Sequence, residues 1–276
     1  MLLHCCRAAG GVALSNAAAR DSVQVMTRSA MAFLFVGLLT GFSAGLFGIG
    51  GALIGTPLLR IIGQLPPLLA LATPLPVAIP SAVSGALAYW RRGLVDRVLA
   101  GRTLRIAVPM TILGSALTHW TPGTVLMVIT ALVLVYVAVS MIRRESATGG
   151  GDVPASSVRV TIAAGIAGFA AGFLAIGGGI VLVPVYVRWL GVPMHRALAT
   201  SLVCVAAMAI PGTLVHAMLG HIAWDAAGLV ALTAIPASWL GARLALRLSG
   251  RTLELSYGIL LAAFGLWFLV RSLATQ

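Results

Sequence analysis

Two glycine clusters, Gly48-Ile49-Gly50-Gly51 and Ile176-Gly177-Gly178-Gly179, interrupt long apolar stretches, and each is followed by a proline, Pro57 or Pro184. Glycine and proline at such places break the hydrogen-bond ladder of a helix. A helix that restarts after the break presents free N–H groups and the positive end of its dipole. That arrangement holds an anion without a charged side chain, and glycine lets an oxyanion approach the backbone. Gly50, Gly51, Gly177, Gly178 and Gly179 are therefore the first candidate binding residues. The competing reading is close helix packing, which suits Gly37, Gly41 and Gly45 at their four-residue spacing.

Hydroxyls are the next candidates, because they can donate to an oxyanion. Thr73, Ser81 and Ser84 lie on one apolar segment, and Thr200, Ser201 and Thr213 lie on another. In membranes such groups also bond to their own helix or join helices. Thr73, Thr200 and Ser201 are retained as candidate substrate contacts. His216 lies inside a hydrophobic segment, where an ionisable group is a functional candidate. A histidine near a helix end also reaches the interface, so both readings stand. His119, His195 and His221 sit at segment edges and read as interfacial, and Cys204 reads as packing.

What is missing narrows the chemistry. The acids are Asp21, Asp96, Glu145, Asp152, Asp225 and Glu254, and none sits at the centre of a hydrophobic segment. A carboxylate relay and cation transport are disfavoured. No P-loop, metal motif or nucleophile elbow is present, so no metal, no cofactor and no enzyme activity are expected. A membrane-embedded hydrolase would need a nucleophile–base pair, and His216 has no evident partner in the sequence. Cys5, Cys6 and Cys204 form no CxxC pair.

The elements that position these residues belong to a membrane. The 276 residues are 60% hydrophobic and 9% charged, with mean hydropathy +1.05. Soluble domains carry about 25% charged residues, so lipid must be the solvent here. The runs are Ala30–Ile62, Leu68–Trp90, Ile106–Leu117, Val125–Ile142, Val160–Trp189, Ala197–Leu219, Ala226–Leu246 and Leu253–Val270. Nothing alternates as barrel strands do. The expected fold is an all-α polytopic integral membrane protein with about eight hydrophobic segments. The net charge of +12 comes from arginine alone, and the arginines flank the apolar runs, so they read as topology signals rather than a nucleic-acid surface.

A shift of 127 residues brings two halves into register without a gap. Gly41-Phe42-Ser43-Ala44-Gly45 falls on Gly168-Phe169-Ala170-Ala171-Gly172, and Ala70-Leu71-Ala72-Thr73 falls on Ala197-Leu198-Ala199-Thr200. The expected units are residues 1–30, an N-terminal segment without assigned role, 31–142, a polar linker at 143–157, and 158–276. The first segment of each half is too long for one span: Met31–Ile62 as a single helix would run about 48 Å, against a hydrocarbon core of about 30 Å. It is expected to be broken or re-entrant. If it dips in and returns, the arginines beyond residue 28 collect on one side, leaving Arg60 and Arg271 on the other. Three spans then remain per half, which inverts one half relative to the other.

The pattern Gly41-x3-Gly45-x4-Gly50-Gly51-x5-Pro57, repeated as Gly168-x3-Gly172-x4-Gly177-Gly178-Gly179-x4-Pro184, resembles the sulfite exporter TauE/SafE family, as do the following Ala72-Thr73 and Ala199-Thr200. The resemblance covers nearly all of 31–272. It implies a transporter of a small sulfur oxyanion or organosulfonate, such as sulfite or sulfoacetate, in a bacterial inner membrane. Another small anion, such as a carboxylate, remains the alternative. The expected partners are that anion, membrane lipid and a second copy of the chain, and not nucleic acid. Ala52 stands where the second copy has Gly179, which puts the symmetry of the two half-sites in question.

Overall fold

The computed structural model describes residues 30–142, 157–175 and 177–274. The N-terminal segment to residue 29, the linker from 143 to 156, Cys5, Cys6 and Ile176 lie outside the described residues. Among the described residues there is no strand.

The helices are α1 (Ala30–Phe47), α2 (Ala52–Ile61), α3 (Pro67–Ala72), α4 (Pro74–Trp90), α5 (Arg97–Leu117) and α6 (Gly123–Ile142). After the linker come α7 (Ser157–Phe173), α8 (Gly179–Arg188), α9 (Met194–Met218), α10 (Trp224–Ala245) and α11 (Gly250–Ala274). The starts of α7, α8, α9, α10 and α11 each fall 127 residues after those of α1, α2, α3, α5 and α6. One difference has a simple cause. Pro74 has no N–H and separates α3 from α4, whereas Ser201 at the matching place lets α9 run on for 25 residues.

The long first segment of each half is two helices joined at the glycine break. In the first half the chain folds back on itself. The positions where Gly51 and Gly55 would carry a Cβ lie 2.8 and 3.3 Å from the Thr40 methyl, and that of Gly63 lies 2.9 Å from Phe33. So α2 runs antiparallel beside α1 and ends near where α1 began. The third apolar run, Ile106–Leu117, is only the last part of α5. Its first turns carry Arg97, Arg102 and Arg105, which hid them from a hydropathy reading. The Asp96 carboxylate caps that helix by accepting from the Leu99 N–H at 2.9 Å.

The two sequence halves are interlocked. α7 packs along α5, α10 against α4, α9 against α4 and α5, and α6 against α11. Small residues let the backbones touch. A Cβ at Gly41 or Gly45 of α1 would strike the carbonyls of Ala234 or Ser238 on α10. At Gly168 or Gly172 of α7 it would strike those of Ala107 or Thr111 on α5. Among the described residues four helices, α1, α3–α4 taken together, α9 and α10, are long and apolar enough to cross a membrane, and α2, α8 and parts of α6 and α7 form shorter apolar helices. Phe35, Ile112, Leu132, Ile166, Leu214 and Ile259 stand exposed on these helices, an outward apolar surface that water does not favour and lipid does.

Candidate functional site

Each break is built by two successive residues in the left-handed region. Gly50 and Gly51 have φ of 77° and 78°, and Gly177 and Gly178 have 73° and 74°. Only glycine takes this conformation without strain. Gly51 and Gly178 are the N-caps of α2 and α8, and neither helix has a side-chain cap. No side chain accepts from the first N–H groups of either helix, and in α8 the Val181 N–H bonds back to the Gly178 carbonyl at 3.1 Å. Both breaks are buried.

The two breaks meet. A Cβ at Gly179 would lie 2.6 Å from the Gly48 carbonyl oxygen and 2.7 Å from the Ile49 Cα. This explains why glycine stands there while the other half carries Ala52: at Gly179 the opposite break leaves no room. Val205 of α9 packs between them. Its Cγ1 would touch a Cβ at Gly177 at 3.6 Å and overlap one at Gly50. Met208 closes on Gly178 from the same helix, with its Cε 2.6 Å from that Cβ position. Thus the N-terminal ends of α2 and α8 converge, with the Val205 side chain at their meeting point.

The polar candidates divide. Ser201 touches the breaks directly: its hydroxyl donates to the Gly48 carbonyl at 2.9 Å. Thr73 and Thr200 are fully buried, and each accepts a hydrogen bond from a loop N–H, Ala223 and Asp96 respectively. Those bonds join helices and give both hydroxyls a structural partner. His216 is buried near the end of α9, with its Nε2 3.5 Å from the Gly172 carbonyl of α7 and its Nδ1 3.2 Å from Nδ1 of His221. Its counterpart Tyr89 donates to the Gly45 carbonyl of α1 at 3.1 Å. Among the described residues no group of three or more His, Cys, Asp or Glu could hold a metal ion.

Val205 and Met208 escaped sequence reasoning because an aliphatic residue in an apolar helix carries no signal of its own. Thr40 and Thr56 also escaped it. Both are buried, and among the described residues their hydroxyls have no partner; Thr40 of α1 lies against Gly51 at the first break, while Thr56 of α2 lines a small cavity with Thr130, Leu134 and Phe264 of α6 and α11. The second half has Ala167 and Val183 at these places.

A bundle of apolar helices around two buried, converging helix breaks is the architecture of a membrane transport protein. The family model for the sulfite exporter TauE/SafE matches residues 33–268. The chain belongs to the TauE/SafE family of membrane transporters, and is not an enzyme. It is 28% identical over 252 residues to a "Probable membrane transporter protein" of Xylella fastidiosa (strain Temecula1 / ATCC 700964), covering 87% of this chain and 94% of the relative. It is 32% identical over 190 residues to a protein of the same description from Haemophilus influenzae (strain ATCC 51907 / DSM 11121 / KW20 / Rd), covering 65% and 70%. Bacillus subtilis (strain 168) has a "Probable membrane transporter protein YunE", 26% identical over 234 residues, covering 76% and 84%. No solved structure matches the chain significantly. The family and the apolar helices make it a multi-pass membrane protein.

Proposed function

We propose that this chain is a secondary transporter of a small anion, a sulfur oxyanion or organosulfonate such as sulfite or sulfoacetate, held between the N-terminal ends of α2 and α8. The observation that carries the reading is the convergence at the breaks: two uncapped helix starts, each with glycines in the left-handed region, meet across Gly48, Ile49 and Gly179. Two partial positive charges then face one buried point, where an anion is favoured over a cation. The Thr40 hydroxyl, beside Gly51 and without a partner among the described residues, supplies a nearby donor. The choice of a sulfur anion rests on the family's description.

The halves act as inverted repeats in this reading. With α1 and α2 forming a hairpin, α4, α5 and α6 cross the bilayer, and the second half starts from the opposite side. The arginine-rich ends then face the cytoplasm of a bacterial inner membrane. Alternating access follows by rocking of bundles around the breaks. The moving bodies are not the sequence halves, because α5 lies with α7 while α10 lies with α1 and α4, and the packing of α4 on α9 is the seam between the bodies. One body is α1, α2, α4 and α10, and the other is α7, α8, α9 and α5.

The test is thermal stabilisation of the detergent-purified chain by sulfite, thiosulfate, sulfoacetate, sulfate and simple carboxylates. A ligand that binds only the folded state raises its apparent stability by mass action. A shift with a sulfur anion that is lost in Gly178→Leu supports the reading. A shift with carboxylates alone replaces the substrate class, and a shift that survives Gly178→Leu moves the site away from the breaks.

A further inference from the structure

Pro57 and Pro184 each leave one carbonyl of their own helix without its usual donor. A proline has no N–H, so the bond back to the residue four places earlier is missing. In α8 that residue is Ile180, and the hydroxyl of Tyr257 on α11 donates to its carbonyl at 3.2 Å. In α2 it is Leu53. The 127-residue register places Leu53 on Ile180, and Thr130 of α6 on Tyr257. Threonine is too short to repeat the contact. Its hydroxyl donates instead to the Leu126 carbonyl of its own helix, at 2.8 Å.

The volume that the tyrosine fills in one half is a small cavity in the other. Its lining includes Leu53, Thr56 and Pro57 of α2, Thr130 and Leu134 of α6, and Phe264 of α11, and it has room for about one water molecule. The polar atoms suit that guest. Thr56 is buried, and its hydroxyl has no partner among the described residues, whereas the second half has Val183 in this place. The Thr56 hydroxyl can donate, and the Leu53 carbonyl and the Thr130 oxygen can accept. A cation is disfavoured, because the cavity adjoins the positive end of α2 and no carboxylate lines it.

We infer that this cavity binds one water molecule in place of the Tyr257 hydroxyl, and that α2 is thereby the break helix that yields during transport. The second clause rests on the transporter reading above. The water donates to the Leu53 carbonyl and to the Thr130 oxygen, and accepts from the Thr56 hydroxyl. Such a bridge is nearly as good as a direct hydrogen bond. It can also leave and re-form as helices shift, which a side chain rooted in α11 cannot do. Arg188 holds α8 further, donating to the Met141 carbonyl of α6 at 2.8 Å, while Ile61 at the matching place in α2 has no side-chain donor. Side chains pin α8 to the α6–α11 pair, and water joins α2 to it.

The test is thermal unfolding of the detergent-purified full chain in choline chloride, which supplies no metal cation. Thr56→Val keeps the shape of the side chain and removes the hydroxyl. With water bound, the change breaks one of its hydrogen bonds, and the unfolding temperature should fall by about 2–4 °C. In a dry cavity it removes an orphan hydroxyl, and an equal or higher temperature overturns the inference. Stabilisation of the wild type, but not of Thr56→Val, by sodium or potassium chloride puts a metal ion there and also overturns it. Thr130→Tyr imports the tyrosine of the second half and displaces the water. It should melt no lower than the wild type, with thiosulfate flux into proteoliposomes at least tenfold slower. Wild-type flux in that variant overturns the role of α2. Where Thr130→Tyr melts lower, or the wild type moves no thiosulfate and the substrate reading fails, hydrogen exchange of the wild type decides. The amides of α2 should then exchange at least tenfold faster than those of α8, and equal rates overturn the role of α2.

Discussion

Thr73 and Thr200 make the same hydrogen bond into opposite halves of the chain. The Thr73 hydroxyl accepts from the N–H of Ala223, the Thr200 hydroxyl accepts from the N–H of Asp96, and both distances are 3.1 Å. Ala223 and Asp96 are the N-caps of α10 and α5. The bonds thus tie α10 to the start of α4, and α5 to the start of α9, following the exchange of helices seen in the glycine seams. Reciprocal contacts of this kind are what a two-fold relation between halves would produce.

Replacing either threonine by valine should therefore cost stability before it costs affinity. Each change leaves a half-buried N–H without its acceptor, a loss of about 1 kcal/mol or somewhat more. Thr73→Val and Thr200→Val should lower the unfolding temperature by similar amounts in detergent. If Thr200→Val instead unfolds at the wild-type temperature and loses only its response to a bound anion, its hydroxyl serves the substrate.

Gly179 and Ala52 occupy matching positions but should not tolerate the same exchange. Gly179→Ala places a methyl 2.6 Å from the Gly48 carbonyl oxygen, against backbone that cannot swing away. The two breaks must separate, and transport should fall at least tenfold, with a lower unfolding temperature. Ala52→Gly removes a buried methyl at a helix start and should cost only about 1 kcal/mol, with transport retained. Flux and melting of the two variants side by side decide it.

The same comparison marks how far sequence reaches. The breaks, their glycines and the 127-residue register were readable, because glycine pairs and prolines in an apolar run have few other uses. The fold-back of α2 on α1 was one of two open topologies, and it depends on contacts such as Phe33 with Gly63 that no spacing reveals. The roles of Thr73 and Thr200 were open for a related reason: a buried hydroxyl can serve a substrate or a loop N–H, and only the position of Ala223 or Asp96 shows which partner is near. Val205 was invisible, since the feature that distinguishes it is its place between Gly50 and Gly177.

Val205→Ala should widen the point where the breaks meet. A buried side chain is shortened there, at a cost of about 1–3 kcal/mol. The space gained lies between the two helix starts, so larger anions should benefit relative to smaller ones. The check is the ratio of sulfoacetate to sulfite stabilisation, which should rise in the variant; an unchanged ratio separates Val205 from the binding space.

Thr40→Val tests the orphan hydroxyl beside the first break. Its oxygen is buried without a partner among the described residues, so an isosteric methyl should leave stability equal or slightly raised. The gain should come with weaker anion binding, by roughly tenfold for the loss of one hydrogen bond to a charged group. Titration of the anion that stabilises the wild type reads both effects. Equal affinity would leave the Thr40 hydroxyl outside the site.

Acid should destabilise the chain through His221. Burial, and then the charge of His119, hold this imidazole below its ordinary value. The unfolded chain therefore binds more protons than the folded one as pH falls through the ordinary histidine range, about 6.5. The sign follows: no penalty exists well above that range, and stability declines as pH drops through it until the folded group also titrates. The fall in unfolding temperature between pH 7.5 and 5.5 should be smaller in His221→Gln, and smaller in His119→Gln because one opposing charge is gone. A wild-type melting temperature that rises on acidification would reverse the sign, and would mean that the folded state holds the proton more tightly than the unfolded chain does.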